Sequence, residues 1–275
     1  MTVDYSQLPL GKQTAYSDKY DASLLVAVPR AQTRDFWSQN TPLPFYGEDN
    51  WIGYEVSWLN QKGKPQVACI LLSYDALTPN IVESKSLKLY LNSFNQTRLD
   101  NSEQLVQTIT NDIGDIIAGT VSLRLHSAAL DEVLVVTPWA DRCIDDLDIT
   151  IEQYTIDPLL LQCDATQIVD ETLVSHLLRS NCPVTSQPDW ASVRIQYQGS
   201  KILEDCLLRY ICSYRLHQGF HEQCIERIFC DIWIQCQPEK LSVEGRFTRR
   251  GGLDINPFRA SLANMHPTYA RQLRQ

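Results

Sequence analysis

Residues 81–90, IVESKSLKLY, return in altered form as residues 202–211, ILEDCLLRYI. The likeness continues at a near-constant separation through three further pairs: Ser93-Phe94 and Ser213-Tyr214, Ser102-Glu103-Gln104 and His221-Glu222-Gln223, and Asp112-Ile113 and Asp231-Ile232. Self-similarity of this kind indicates a duplicated structural unit. The sequence therefore predicts two domains of one design, which we place at residues 1–145 and 146–275.

Each repeat shows the same order of predicted secondary structure. Alternating apolar and polar residues predict a strand at 66–74 in the first repeat and at 191–198 in the second. Apolar residues at helical spacing predict two helices per repeat, at 83–94 with 102–117 and at 203–215 with 221–236. Extended segments at 120–125 and 241–248 close the repeats. This order predicts an α+β fold, with an antiparallel sheet that carries paired helices on one face.

The composition favours a globular protein that acts on a small molecule. Hydrophobic residues make up 44% and charged residues 21% of the chain. A net charge of −9 argues against a surface that neutralises nucleic-acid phosphates. No apolar run approaches the roughly 20 residues of a membrane helix, and the first ten residues lack the pattern of an export signal. We therefore expect a cytoplasmic protein that contacts neither membrane nor nucleic acid directly.

The nine cysteines predict reduced thiols and no metal site. Their number is odd, and no two of them form a Cys-x-x-Cys pair. Five of them, Cys206, Cys212, Cys224, Cys230 and Cys236, recur about every six residues, which is not a spacing of zinc ligands. In a cytoplasmic protein most such thiols are expected to be reduced and buried.

Cys182 lies in a different setting, within residues 180–190, SNCPVTSQPDW. Two prolines and several turn-forming residues argue against regular helix or strand in this stretch. A cysteine in a loop is a candidate nucleophile, because a thiolate attacks an electrophilic carbon well when a neighbouring group takes its proton. Asp189 follows in the same stretch and can shuttle that proton. The alternative interpretation is that Asp189 is a turn residue after Pro188.

His221-Glu222 is predicted to open a helix and to supply binding groups. Neighbouring residues point about 100° apart on a helix, so the two side chains reach a pocket as separate groups and do not pair with each other. A carboxylate suits the two parallel N–H donors of a guanine-like base. The alternative interpretation is that His221 caps the helix while Glu222 favours its positive end.

Two basic segments are candidate phosphate sites. Glu83-Ser84-Lys85-Ser86-Leu87-Lys88 starts a predicted helix, and its two lysines, serines and backbone amides can cradle a phosphate, although these residues taken alone favour a solvated helix face. Residues 246–252, RFTRRGG, are either a second phosphate contact or a hairpin turn. No Gly-x-Gly-x-x-Gly motif is present, which excludes a Rossmann nicotinamide site. Because the thiol and the lysines fall in different repeats, the sequence predicts a site that draws on both.

These motifs together resemble those of the NADPH-dependent nitrile reductases of the queuosine pathway, the 7-cyano-7-deazaguanine reductases. Four segments match the family in type and order: residues 83–90, the Cys182 stretch with Gln187-Pro188-Asp189, Phe220-His221-Glu222, and Arg250-Gly251-Gly252. The match covers most of the chain and has the two-module form of the family. It implies tandem tunnelling-fold (T-fold) units, usually in a homodimer. It also implies reduction of the nitrile 7-cyano-7-deazaguanine to the amine 7-aminomethyl-7-deazaguanine with two NADPH.

The resemblance also implies a role for each site residue. Cys182 would add to the nitrile carbon as a covalent thioimide, and Asp189 would supply protons to the nitrile nitrogen. His221 and Glu222 would hold the base, and His221 either donates protons or only positions it. The remaining contacts would come from the substrate-binding residues Ile81, Val82 and Glu83 and from the NADPH-binding residues Ser84, Lys85, Arg250 and Gly251.

Three other functions were weighed against this one. A pterin-forming cyclohydrolase of the same fold would need a zinc site, whereas the five histidines are scattered and only His221 lies near the candidate site. A non-catalytic purine-binding protein would tolerate Cys182→Ala without loss of function. A thiol amidohydrolase would release ammonia and would not use NADPH.

Overall fold

The secondary structure lies close to the predicted positions. The computed structural model describes residues 16–38, 41–127 and 135–275. Its strands are β1 Ala27–Pro29, β2 Tyr46–Leu59, β3 Pro65–Asp75, β4 Asn80–Val82, β5 Val121–Ser127, β6 Arg142–Cys143, β7 Cys163–Ser175, β8 Arg179–Asn181, β9 Pro188–Ile202, β10 Lys240–Phe247 and β11 Leu253–Ala260. Its helices are α1 Arg30–Thr33, α2 Ser84–Asn92, α3 Ser102–Ile117, α4 Glu204–Ser213 and α5 His221–Cys236, with short 3₁₀ turns at Ala22–Leu24, Pro158–Leu160 and Tyr214–Leu216.

The predicted fold class is confirmed at the level of secondary structure. The predicted strands correspond to β3, β5, β9 and β10, and the four predicted helices correspond to α2, α3, α4 and α5. Most strand pairs are antiparallel, while β6 and β7 run parallel. The fold is therefore mixed α+β with a mostly antiparallel sheet. Among the described residues, no helix is long and apolar enough to span a membrane.

Contacts divide the described chain into two compact units that do not follow the predicted boundary at 145/146. Unit 1 comprises residues 16–34, 49–127 and 249–255, and unit 2 comprises 35–38, 41–48, 135–248 and 256–275. Segments from each side of the predicted boundary therefore belong to the other unit. Contacts between residues far apart in sequence decide this division, and hydrophobic periodicity does not report such contacts. The functional division at that boundary stays a prediction.

Unit 1 is built around β3, which lies between β2 and β5. The antiparallel register of β3 and β5 runs from the pair Ala68 and Ser127 to the pair Tyr74 and Val121. Helix α3 packs on β5. It buries an apolar stripe at helical spacing, which includes Leu105, Ile109 and Ile113. Burial of this stripe, more than helix propensity, holds α3 in place.

Unit 2 has the strand order β11–β10–β9–β7–β6, with the short strand β8 also paired to β9. The long strand β9 is antiparallel to β10 on one side and to β7 and β8 on the other. Helix α5 packs on β9 and β10 and buries Ile225, Ile228 and Phe229. Strand β9 therefore contacts both α5 and β8, and it links the residues on these two elements.

The duplication extends to side-chain hydrogen bonds inside each unit. In unit 1 the Tyr90 hydroxyl donates to Asp112 Oδ2 at 2.6 Å, and in unit 2 the Tyr210 hydroxyl donates to Asp231 Oδ2 at 2.7 Å. Tyr90 and Tyr210 each lie three residues before the matched serines Ser93 and Ser213. Asp112 and Asp231 are themselves a matched pair of the two sequence repeats. The same buried bond between the two helices of each repeat supports a common origin of their design.

A buried ion pair anchors α5 to β11 inside unit 2. Arg259 donates to Glu226 Oε1 from Nη2 at 2.7 Å and from Nε at 3.2 Å, and the two side chains are 0% and 1% exposed. We expect Arg259→Met to lower the free energy of unfolding by about 3–5 kcal/mol, because the Glu226 carboxylate would lose its guanidinium partner while buried. Urea denaturation monitored by circular dichroism measures the change.

The control for this prediction is the surface pair Arg142 and Glu204. These side chains are 61% and 23% exposed and lie 3.0 Å apart. Water screens such a pair, so Arg142→Met is expected to cost less than about 1 kcal/mol. Equal costs for the two variants would contradict the assigned role of the buried pair.

Candidate active site

Cys182 begins the loop of a tight hairpin. Strand β8 pairs with the start of β9, with Asn181 opposite Pro188. The Cys182 N–H donates to the Gln187 carbonyl at 2.8 Å, which closes the loop 182–187. The predicted absence of strand over residues 180–190 is therefore wrong at both ends of that stretch. Pro188 is tolerated because it is the first residue of its strand, where no ladder N–H is needed.

The hairpin carries both the thiol and the carboxylate. Asp189 lies directly opposite Ser180. Cys182 follows Ser180 by two residues, just beyond the end of β8, where its N–H bond to Gln187 continues the contact between the two chain segments. Cys182 is 4% exposed and Asp189 is 3% exposed. The turn-residue interpretation of Asp189 is wrong, because this residue belongs to β9.

His221 meets Asp189 from the first turn of α5. Its Nε2 lies 3.4 Å from Asp189 Oδ2. Its ring stacks on Phe247 of β10, with ring centroids 4.0 Å apart and an angle of 11° between the planes. The N-cap of α5 is Phe220, so the alternative that His221 caps the helix is wrong. The imidazole is instead held between a carboxylate and an aromatic ring.

Glu222 gives the site a second carboxylate. It is buried in the first turn of α5. The thiol of Cys224 lies in the same helix and is fully buried, and this burial raises its pKa to about 12, with the charges of Asp189 and Glu222 adding to the effect. A buried site with two carboxylates suits a substrate that presents N–H donors and does not suit a phosphate.

Backbone hydrogen bonds join the hairpin to the segment before α5. The Asn181 N–H donates to the His217 carbonyl at 2.8 Å, and the Gly219 N–H donates to the Asn181 carbonyl at 3.1 Å. The Gln218 side chain adds a bond to Ser186 Oγ at 3.0 Å, next to a cavity of about 360 Å³ lined in part by His217 and Gln218. These bonds hold the hairpin that contains Cys182 against the segment that leads into His221 of α5.

His217 is expected to make unit 2 sensitive to acid. Burial, with a contribution from the charge of Arg227, lowers the His217 pKa from 6.5 to about 4. The folded state therefore binds a proton less readily than the unfolded state, so stability is full above pH 6.5 and falls as the pH drops toward 4. We expect a loss on the order of 2 kcal/mol over this range, which His217→Phe should remove.

Urea denaturation at a series of pH values tests this prediction. His266→Phe is the control, because it removes an exposed histidine from the same unit. An unchanged acid slope in His217→Phe would show that another group causes the loss.

In unit 1 the predicted substrate-binding residues are buried. Ile81 and Val82 lie in β4, which pairs with β1, and each residue is 1% exposed. Glu83 is the N-cap of α2, and its carboxylate accepts from the amides of Lys85 at 2.8 Å and Ser86 at 2.7 Å. Those two amides are thus already occupied, and this part of the predicted phosphate cradle is wrong. Burial raises the Glu83 pKa while these hydrogen bonds oppose the rise.

The basic side chains of unit 1 gather at the turn between β10 and β11. Gly251 has a φ of 62°, and a Cβ atom built on it would lie 2.9 Å from Lys88 Nζ. The Lys88 side chain therefore occupies the space that a side chain at position 251 would need. The Arg249 guanidinium lies 3.8 Å from the centre of the Tyr54 ring. Arg250 closes the turn through its N–H to the Leu253 carbonyl at 2.8 Å. Lys88 therefore packs on the glycine turn that follows Arg249 and Arg250, and we call these three residues the cationic cluster.

Some predicted residues belong neither to the group around Asp189 in unit 2 nor to the cationic cluster of unit 1. Arg246 is buried in unit 2 and is paired with Glu244, so it is not a phosphate contact. Ser84 and Lys85 are half-buried in the first turn of α2, one helical turn before Lys88. The prediction that one site draws on both repeats stays a prediction.

Sequence reasoning missed the role of Phe247. It was part of the basic segment at 246–252 but was not singled out, because its partner His221 is distant in the chain. The contacts of Asn181 with the segment before α5 were also not predicted. An asparagine before a turn is a local signal for hydrogen bonding to the backbone.

Unit 2 thus holds a buried thiol and carboxylate with a half-buried imidazole, and unit 1 holds a cationic cluster. Groups of these two kinds are typical of enzymes that use a thiol nucleophile and of sites for anionic ligands, respectively. A family model described as "Nitrile reductase, 7-cyano-7-deazaguanine-reductase N-term" matches residues 16–125, and a second, described as "QueF-like protein", matches 188–265. The NADPH-dependent 7-cyano-7-deazaguanine reductase of Cupriavidus taiwanensis is 50% identical over 279 residues, covering 97% of this chain and 98% of that protein.

This chain therefore belongs to the family of NADPH-dependent 7-cyano-7-deazaguanine reductases, which are oxidoreductases. The resemblance read from the four sequence motifs is confirmed.

Proposed function

We propose that this protein reduces the nitrile of 7-cyano-7-deazaguanine to the amine of 7-aminomethyl-7-deazaguanine through a covalent thioimide on Cys182. The observation that carries the proposal is that Cys182 and Asp189 lie in one hairpin, both buried, with His221 3.4 Å from Asp189. Family membership supports the same reaction. A nitrile has no leaving group, so a thiol that adds and later departs is the nucleophile this chemistry needs.

The first step forms one bond and moves one proton. The Cys182 sulfur bonds to the nitrile carbon, one π bond of the nitrile opens, and the nitrogen takes the proton that the thiol gives up. Asp189 carries that proton, because it lies in the same hairpin as the thiol and is buried from bulk water. His221 holds the Asp189 carboxylate in place and is itself fixed by the Phe247 ring.

Reduction then needs two hydrides and the release of the thiol. Bound NADPH would supply the two hydrides to the former nitrile carbon, and in each reduction the nitrogen would also take up one proton. Between them the carbon–sulfur bond breaks, Cys182 regains its proton, and the resulting imine is the species reduced second. A free imine hydrolyses in water, so the burial of Cys182 and Asp189 serves to exclude water during this interval.

Glu222 is the proposed anchor for the base. Its buried carboxylate suits the two parallel N–H donors on one edge of a deazaguanine. The absence of a phosphate on this substrate agrees with a site that carries two carboxylates.

The cationic cluster of unit 1 fits the phosphate groups of NADPH. Lys88, Arg249 and Arg250 lie at one glycine turn, where the Lys88 chain packs against Gly251. We propose that these side chains, together with the predicted contacts Ser84, Lys85 and Gly251, hold the cofactor.

The assay that tests this function follows NADPH oxidation at its absorbance and the product by mass. The proposal expects two NADPH consumed per amine formed, because a nitrile takes four electrons to become a primary amine. Ammonia release without NADPH oxidation would favour the thiol amidohydrolase, and tight binding of the base without any turnover would favour the non-catalytic binder.

Lys88→Ala is expected to raise KM for NADPH by about 10- to 100-fold, since a charge-assisted contact to phosphate contributes about 1.5–3 kcal/mol. Turnover at saturating NADPH should change much less. Lys62→Ala, at an exposed lysine in the turn after β2, is the control and should leave KM unchanged. Equal KM values in Lys88→Ala and the parent protein would remove Lys88 from the cofactor site.

The proposal extends to architecture and assembly. We infer tandem T-folds, because the two repeats share strands, helices and the buried Tyr–Asp hydrogen bond. A homodimer in the cytoplasm without direct nucleic-acid binding is the proposed form, and the net charge of −9 supports the last point. Light scattering coupled to gel filtration measures the number of chains.

A further inference from the structure

Three metal-binding side chains come together in unit 2 outside the proposed reaction. Cys143, Asp145 and His176 each offer one donor atom, and these atoms lie within 4.8 Å of one another. All three residues are half-buried. We propose that they form a zinc site, which departs from the expectation of no metal drawn from cysteine spacing.

The parallel pairing of β6 and β7 creates the cluster. Cys143 lies opposite Val174, and the Ile144 N–H donates to the Val174 carbonyl at 3.0 Å. Asp145 and His176 follow each pair member by two residues, so they leave the sheet edge side by side. No short sequence spacing links Cys143 to His176, which is why the cysteine pattern did not reveal the site.

The carboxylate of the cluster is already oriented. Asp145 Oδ1 accepts from the Ser175 hydroxyl at 2.6 Å, and Oδ2 accepts from the His176 N–H at 2.8 Å. Each carboxylate oxygen has a second lone pair, so both bonds are compatible with a metal contact. Hydrogen-bonded carboxylates of this kind are the usual partners in metal sites.

The imidazole is oriented in the same way. His176 Nδ1 lies 2.8 Å from the Ser192 hydroxyl, and Ser192 is buried. Arg274 donates to the His176 carbonyl at 2.6 Å and holds the backbone beneath the ring. A ligating histidine generally uses its second ring nitrogen for a bond to oxygen, which fixes the ring for the metal.

The donor set selects the metal. Thiolate sulfur, imidazole nitrogen and carboxylate oxygen are all ligands of Zn²⁺, whereas Mg²⁺ and Ca²⁺ prefer oxygen alone. In a tetrahedral zinc site the donor atoms lie about 3.3–3.7 Å apart, as follows from bond lengths of about 2.0–2.3 Å. The present spacing needs a contraction of about 1.1–1.5 Å at most, which half-buried side chains can make by rotation about their bonds. Three protein ligands leave the fourth position to water.

The position of the site suggests a structural role. His176 is the first residue of the connection from β7 to β8, and β8 is the first strand of the Cys182 hairpin. A metal bound there would link β6 to the start of the connection between β7 and β8. Added Zn²⁺ is therefore expected to raise the midpoint of thermal unfolding of the metal-free protein.

Cobalt substitution tests the site on the full chain, without reference to activity. The metal-free protein is titrated with Co²⁺, whose bond to a thiolate gives a charge-transfer absorption, and Zn²⁺ is then added to displace it. We expect one Co²⁺ per chain with this absorption in the parent protein. Cys143→Ser should lose the absorption, and Cys163→Ser, a half-buried thiol of the same unit outside the cluster, should keep it.

Two more variants keep the test decisive. Ser192→Ala should weaken zinc affinity by about 10- to 100-fold, as loss of a bond to a ligating histidine does. Asp145→Asn keeps an oxygen acceptor for Ser175 but loses the charge, and it replaces Cys143→Ser should that variant fail to fold. No absorption in the parent protein, or an absorption that survives in Cys143→Ser, overturns the proposal. So does an equal loss in Cys163→Ser.

Discussion

Cys182→Ala is expected to abolish both covalent capture of the nitrile and turnover. Alanine cannot form the carbon–sulfur bond, and the remaining site would have to reduce a nitrile that no nucleophile has activated. We expect turnover to fall by at least about four orders of magnitude, as loss of a nucleophile does in enzymes whose catalytic groups act as a unit. Intact-protein mass spectrometry with 7-cyano-7-deazaguanine and no NADPH measures the first step directly. The parent protein should gain the entire mass of the nitrile, since addition expels no leaving group.

Cys224→Ala is the matched control for this experiment. Both thiols are buried in unit 2, and the charges of Asp189 and Glu222 act on Cys224 as well. Burial raises the Cys224 pKa to about 12, so this thiol stays protonated near neutral pH and is a poor nucleophile. Cys224→Ala should therefore still form the adduct. An adduct that persists in Cys182→Ala, or one lost only in Cys224→Ala, would assign the reaction to the other thiol.

The sequence predicted the helices and long strands because their apolar residues recur over many positions. Tyr90 with Asp112 and Tyr210 with Asp231 fall at equivalent places in the repeats, and the structure bonds each pair in the same way. Repetition therefore carried information about contacts as well as about secondary structure. The matched hydrogen bonds support the duplication, because a chance likeness between two segments would not reproduce the same Tyr–Asp bond.

The hairpin at Cys182 was beyond the reach of periodicity. Strand β8 has three residues, which is too short for an alternating pattern to stand out against the turn-forming residues around it. The proline that argued against a strand occupies the one position of β9 where its missing N–H costs nothing. Composition thus indicated the loop correctly but not its edges, and the edges are what place Asp189.

The capping role of Glu83 had a local signal that family resemblance outweighed. An acidic residue just before a helix commonly accepts from the first-turn amides, and Glu83 accepts from Lys85 and Ser86. The stacking of Phe247 on His221 had no such signal, because it joins β10 to α5. Local rules predict caps, while contacts between distant elements need the folded chain.

Asp189→Asn is expected to lower turnover by about 10²- to 10⁴-fold while leaving the fold intact, since it removes a proton carrier but keeps the shape of the side chain. The thioimide should still form, but slowly, because the nitrile nitrogen would have to take its proton from elsewhere. Time-resolved mass spectrometry of the adduct and steady-state NADPH oxidation measure the two effects separately. Asp141→Asn is the control: its carboxylate pairs with Arg194 at 2.7 Å, and its loss should leave both rates nearly unchanged.

Comparison with His221→Gln decides what the imidazole does. If His221 acts by holding Asp189, as the distance of 3.4 Å and the stacking on Phe247 indicate, the two residues work as a unit. The double variant should then lose little more activity than Asp189→Asn alone, because the effects of coupled residues do not add. Fully additive losses would instead give His221 an independent role as a proton donor. The same double-mutant cycle with Phe247→Leu in place of His221→Gln should show a smaller non-additivity of the same sign. Phe247→Leu removes the ring on which His221 stacks, but it keeps the His221 imidazole.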